Sequence, residues 1–232
     1  MMVVIAAVSW QWSRDILKNV MLWLMLALPT GIAWAVLQTQ GAQAFGAIWL
    51  VFAQLMVGVM VASGHWLEER EQGTWQALRL SPVPIGWLLA AQASLISLVT
   101  LASQLLVFAV DHGTARWSLP LVMFMLIGAV LASVLGVLIG IASRSARSGS
   151  MLATVAMLAL FLGAIAAPGL VGHPTLYALL HWLPSVLSAS ALGAGLAGGY
   201  PPPSTSVGLG LWLLALLASL GMVLRRQYRD GA

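Results

Sequence analysis

An all-α integral membrane protein with six transmembrane helices is the fold class this sequence predicts, and three observations predict it. The 232 residues are 61% hydrophobic and 7% charged, with a mean hydropathy of +0.97, whereas a soluble domain carries about 25% charged residues. The apolar residues gather into six runs, each near the roughly 20 residues a helix needs to cross a hydrocarbon core. The few charges fall between the runs and nearly all on one side. Cysteine is absent, which excludes disulfides, thiolate metal sites and a cysteine nucleophile. The pI near 10.4 rests on an excess of only four charges, so the expected partner is the lipid bilayer and not a nucleic acid.

The predicted spans are Asn19–Leu37, Ala44–Trp66, Ile85–Val110, Leu119–Ala142, Ser150–Ala167 and Val207–Leu224, making one transmembrane domain of residues 1–232. Ahead of them, Met2–Lys18 sets Trp10 and Trp12 beside Arg14 and Lys18. That pairing suits a helix lying in the headgroup layer, and an extended start to the first span suits it equally. No cleavable signal peptide is expected, because the basic start and small-residue cleavage site are missing. Pro29 and Gly31 should bend the first span. In the second, Gln54, Gly58 and Ala62 share a face; in the third, Ser97, Thr100 and Gln104 share one. Polar rows of this kind line a conduit or a dimer interface, or form hydrogen bonds between helices, which is the commoner case. Gly128, Ala132, Gly136 and Gly140 recur every fourth residue of the fourth span and predict close helix approach.

Pro168–Ser206 is long and nearly uncharged. Leu176–Leu183 and Ser185–Leu196, divided by Pro184, predict two short outer helices that dip part-way into the membrane. Gly198-Gly199-Tyr200-Pro201-Pro202-Pro203 then stops any helix. Irregular backbone at that depth has to be covered by protein or line a cavity. The 11 tryptophans suit aromatic belts at the span ends, with Trp34 or Trp49 available to an amphipathic guest.

Six spans put both termini on one side. Of the 10 basic residues only Arg116 then falls on the other side, so the terminal side is expected to be cytoplasmic. The Glu68–Pro82 segment lies there too and holds Glu68, Glu69 and Glu71, half of the six acids. Gly73 permits a chain reversal and Thr74 suits the N-cap of a short helix. Glu69 and Glu71 sit where acids favour a helix start. Trp75, Leu78 and Leu80 give that helix an apolar side, and Ser81-Pro82 ends it. A short amphipathic helix that docks on a partner protein is the expectation, since a solvated connector needs neither this length nor Trp75.

Catalytic motifs are missing. Lys18, the one lysine, follows Ile16-Leu17 and cannot complete a nucleotide-binding P-loop. No H-E-x-x-H or G-x-S-x-G occurs. The middles of the spans lack the ionisable residues that mark ion and proton pathways. No catalytic, cofactor-binding or metal-ligating residue is expected on this chain, and any energy for transport should come from another subunit.

Glu69-Arg70-Glu71-Gln72-Gly73-Thr74, followed by Leu78 and Ser81-Pro82, resembles the loop between the second and third spans of ABC-2-type transporter permeases. The six spans, the N-terminal interfacial segment, the long outer segment and the basic C-terminus extend the resemblance over the whole chain. It implies that the loop forms a coupling helix in a cleft of a separate ATP-binding subunit. Glu69, Arg70, Glu71, Gly73, Thr74, Trp75 and Leu78 would lie at that contact. It also implies two ATP-binding subunits carrying ATP and Mg, a second permease copy or homologous permease, a bacterial inner membrane, and export. So few internal charges suggest an amphipathic or hydrophobic substrate: a drug, a lipid or a lipid-linked molecule. On this reading Gln54, Ser97, Thr100 and Gln104 are candidates for lining the conduit or the dimer interface. The loop is also similar to that of haem-exporter-like permeases of cytochrome c maturation. His173 and His181 could approach a haem or metal, but scattered histidines in irregular loops are more often interfacial polar groups. A membrane scaffold independent of any ATPase is the remaining alternative.

Overall fold

The computed structural model describes Trp10, Arg14, Lys18 and residues 20–40, 46–74, 84–112 and 117–229, with no strand among the described residues. In chain order the helices are α1 (Val20–Gln40), α2 (Gly46–Glu71), α3 (Ile85–His112), α4 (Leu119–Ala142), α5 (Ala146–Ala166), α6 (Pro174–His181), α7 (Pro184–Leu196) and α8 (Pro203–Arg229). Six of them, α1 to α5 and α8, are long and apolar enough to cross a membrane. The segment before α1 lies outside the described residues, save that Trp10, Arg14 and Lys18 are helical.

Three helices overrun an expected end by at least four residues, each for a local reason. The second span continues beyond Trp66 to Glu71, so its acids fall in a last turn and not in a first one. The fifth begins at Ala146, because Ser145 and Ser148 cap each other's backbone in a reciprocal box. The last begins at Pro203, a position where proline's missing N–H costs nothing.

The middle of α2 is a feature no sequence pattern announced. Gln54–Val61 is π-helical, with hydrogen bonds one residue longer than those of an α-helix. This wider stretch packs along α4. A Cβ placed on Gly136 would lie 2.6 Å from the Val59 carbonyl and 2.8 Å from that of Gly58, and one on Gly58 would lie 2.5 Å from the Ala132 Cβ. Small residues are required here because lipid tails are as apolar as leucine, so helices in a bilayer associate through close-fitting shape. The row Gly128, Ala132, Gly136, Gly140 thus meets Gln54, Gly58, Ala62 and Trp66, in parallel. Trp66 is fully buried in this seam; it belongs to the core and not to an interfacial belt.

The segment between α5 and α8 forms two short helices divided at Pro184, as its sequence pattern predicts. α6 and α7 meet at 88°; α6 buries no residue, while α7 buries Leu187, Ala191 and Leu192. Three hydrogen bonds hold this cover on the bundle. Ser185 Oγ donates to the Leu160 carbonyl at 2.6 Å, Ser118 Oγ to that of Gly195 at 2.8 Å, and Trp212 Nε1 to that of Trp182 at 2.7 Å.

Candidate functional site

The site is the end of α2 and what it touches at the basic end of the bundle. Gly73 has φ +74°, the left-handed conformation that glycine adopts without penalty, and its N–H bonds the Arg70 carbonyl at 3.2 Å. Gln72 N–H bonds the Glu68 carbonyl at 2.9 Å. This is a glycine C-cap, completed by the Thr74 hydroxyl, which donates to the Glu69 carbonyl at 2.8 Å and also to the Glu69 carboxylate. Thr74 therefore closes α2; the residues it was expected to cap, with Trp75 and Leu78, lie outside the described residues.

Acids at this place are electrostatically awkward. Glu68, Glu69 and Glu71 occupy the carboxyl end of α2, where the helix dipole already concentrates negative charge. Two basic side chains, His65 and Arg70, share this end of the helix. His65 Nε2 lies 3.7 Å from the Glu69 carboxylate, one turn back. Arg70 is the basic residue of the last turn and reaches across to α4. Its guanidinium donates to the Ile141 carbonyl at 3.2 Å and to the Ser143 carbonyl. Those carbonyls are at the C-terminal end of α4, which no helical N–H can satisfy. Arg70 thus ties the end of α2 to the end of α4 with charge-assisted bonds, each type worth about 1.5–3 kcal/mol. Sequence reasoning set Arg70 with its neighbours at an external contact; nothing local could show that its partner lay seventy residues on.

A cleft of about 440 Å³ opens between these parts, lined by Arg70, Glu71, Gly73, Arg144 and Ser145 among others. Glu71, Gly73 and Thr74 are exposed on its rim, and Glu69 is half-buried. The α4–α5 turn forms the far wall, with Ser143 ending α4 and Ser145 starting α5.

Deeper in the bundle, Gln54, Ser97, Thr100 and Gln104 are all buried. Gln54 Nε2 donates to Gln104 Oε1 at 2.9 Å, and Gln104 Nε2 to the Met125 carbonyl at 3.1 Å, a chain linking α2, α3 and α4. Ser97 and Thr100 donate to carbonyls one turn back, of Ala93 and Ile96. Gln92, fully buried on α3, has neither amide atom hydrogen-bonded, and Ser103 Oγ and Ser133 Oγ are likewise unpaired. Gln92 was readable as a lone amide in an apolar span, yet it shares no spaced row with another polar residue. Trp49 packs at 6.0 Å from Phe52 and 6.5 Å from Phe161, whereas Trp34 is exposed and borders a 450 Å³ pocket with Trp23. His173 lies just before α6 and His181 ends it, stacked 5.3 Å from Tyr177. Among the described residues no group of three His, Asp or Glu side chains is placed to hold a metal.

Fold and composition define a helical, multi-pass membrane protein. Compared with protein-family models, curated proteins and solved structures, the chain finds no match in any of the three.

Proposed function

We propose that this chain is the membrane-spanning permease subunit of an ATP-driven ABC exporter, in which a separate ATP-binding subunit docks on the segment after α2. The observation that carries the reading is the Arg70 tie. It makes the exposed Glu-Arg-Glu-Gln-Gly-Thr turn mechanically continuous with the close-packed α2–α4 seam. Force applied to Glu71 and Thr74 would reach α4 and the α4–α5 turn without passing through a flexible joint. The resemblance to ABC-2-type permeases, the lack of a P-loop lysine and the uncharged span interiors support the same reading. The basic end is cytoplasmic on this proposal, the membrane is a bacterial inner membrane, and the substrate is amphipathic or hydrophobic. Two permease copies, or a permease and a homologue, would pair with two ATP-binding subunits.

Two measurements test it. Glu69→Arg and Glu71→Arg should each either release the ATP-binding subunit on co-purification or uncouple ATP turnover from transport. Unchanged coupling in both variants defeats the proposal. Because the chain has no cysteine, single cysteines placed at Gly73 and Tyr200 report orientation cleanly. Gly73→Cys should label only after the membrane is opened, and Tyr200→Cys in intact cells.

A further inference from the structure

α3 and α8 both pack on α4 but leave a groove between them of about 360 Å³. It runs along the bundle from Gly86, at the basic end, to Ser97 near mid-span on α3, and from Leu224 to Leu217 on α8. The rise from Gly86 to Ser97 is roughly 16 Å at 1.5 Å per residue, about half of a 30 Å hydrocarbon core. The groove therefore has the depth of one leaflet. It is lined mainly by apolar side chains, and its two serines are spoken for: Ser94 Oγ donates to the Ala90 carbonyl at 2.7 Å and Ser97 Oγ to that of Ala93 at 2.6 Å. A guest is offered no hydrogen-bond donor and only two hydroxyl oxygens as acceptors, a lining that suits hydrocarbon.

The mouth of the groove carries charge. Arg225 follows Gly221 by one turn on α8, in the row that lines the groove, and Arg226 adjoins it; both are exposed. Neither has a hydrogen bond or ion pair among the described residues. Across the mouth, the first turn of α3 holds no acid. Guanidinium groups pair with phosphate through two parallel hydrogen bonds, and basic pockets between spans on the cytoplasmic side suit anionic headgroups.

We propose that this groove binds one anionic phospholipid, with an acyl chain between α3 and α8 and its phosphate held by Arg225 and Arg226. The lipid supplies packing that α8 lacks, since only 17% of its spanning window is buried. The inference rests on the basic end facing the leaflet that holds anionic lipid, as proposed above, but not on any ATP-binding partner.

Native mass spectrometry of the full chain, released from nanodiscs of equal phosphatidylglycerol and phosphatidylcholine, tests it. The wild type should retain one lipid with phosphatidylglycerol preferred at least tenfold. The Arg225→Gln/Arg226→Gln variant should lose most of that preference, at about fivefold per arginine. Gly221→Leu fills the groove; a Cβ there meets no atom within 4 Å, so the fold is kept, and lipid of either kind should be lost. Equal retention of the two lipids by the wild type, or undiminished retention by Gly221→Leu, overturns the proposal. So does a cross-link between Gly221→Cys residues of two copies, because the groove would then be an interface. Both leaflets of the nanodisc are alike, so a wrong orientation would show in cysteine labelling and leave this result unmoved.

Discussion

The two sides of α4 are packed to opposite standards. Toward α2 it is jammed: Gly128, Gly136 and Gly140 each lie so close to α2 that a methyl group would overlap Gln54, the Val59 carbonyl or Trp66. Toward α8 the same helix leaves a groove, and Gly221 faces empty space. Burial follows suit, with 61% of the spanning window in both α2 and α4 and 17% in α8. In a bilayer, apolarity cannot distinguish a neighbouring helix from lipid, so fit does. On the two proposals above, the tight side carries force to α4 and the loose side takes lipid.

The sharpest way to break the contrast is a pair of matched substitutions. Gly136→Val drives a side chain into two α2 carbonyls and the Ala62 Cβ, which are backbone and seam atoms that cannot swing aside. Overpacking of this kind costs typically 1–3 kcal/mol and occasionally more, and the rigid neighbours put this case at about 3 kcal/mol. Gly221→Val should stay within about 0.5 kcal/mol of wild type. Thermal unfolding in detergent compares them; equal losses would refute the difference between the two sides. Next in size is Arg70→Gln. Losing the charge-assisted bonds to Ile141 and Ser143 should cost about 2 kcal/mol, read from the same unfolding curves. Arg70→Lys should recover under half of it, since both bonds come from the terminal guanidinium nitrogen and an ammonium on a shorter side chain falls short of that position.

The seam's polar chain is a third probe. Gln54→Leu or Gln104→Leu strands a buried amide and should destabilise by about 1 kcal/mol, within the range measured for hydrogen bonds between membrane helices. The double variant should cost less than the sum of the singles, because it removes both partners together. Additive losses in that cycle would mean that the Gln54–Gln104 bond contributes nothing.

These probes also mark what the sequence could reveal. Six spans were legible because hydropathy over twenty residues is a property of the segment alone. The glycine row of α4, the helix stop at Gly73 and the division at Pro184 were legible for the same reason. The π-helical stretch of α2 was not, since Gln54–Val61 has the composition of an ordinary apolar helix and its altered register is set by contact with α4. Placing Glu69 and Glu71 at a helix start followed from their dipole preference, whereas α2 runs on through them to the Gly73 cap, with Arg70 tied to the end of α4. Of the candidate site, the exposed turn was readable. The bond that gives it leverage joins residues seventy apart and was not.

The smallest expected effect comes from the outer cover, and it decides whether the cover belongs to the tight body. Trp212 Nε1 donates to the Trp182 carbonyl, pinning the α6–α7 junction to α8, the loosest span. Trp212→Phe keeps the ring and removes the donor, for a loss of about 0.5–1 kcal/mol. The change should appear as faster amide exchange in residues 174–183 and nowhere along α2 or α4. Combined with Arg70→Gln, its effect should add to within about 0.5 kcal/mol, as for distant sites that share no partner. A coupling well above that would mean that a disturbance at the basic end reaches the opposite end through α4. In that case the loose side of the molecule, α8 included, would move with the seam and not apart from it.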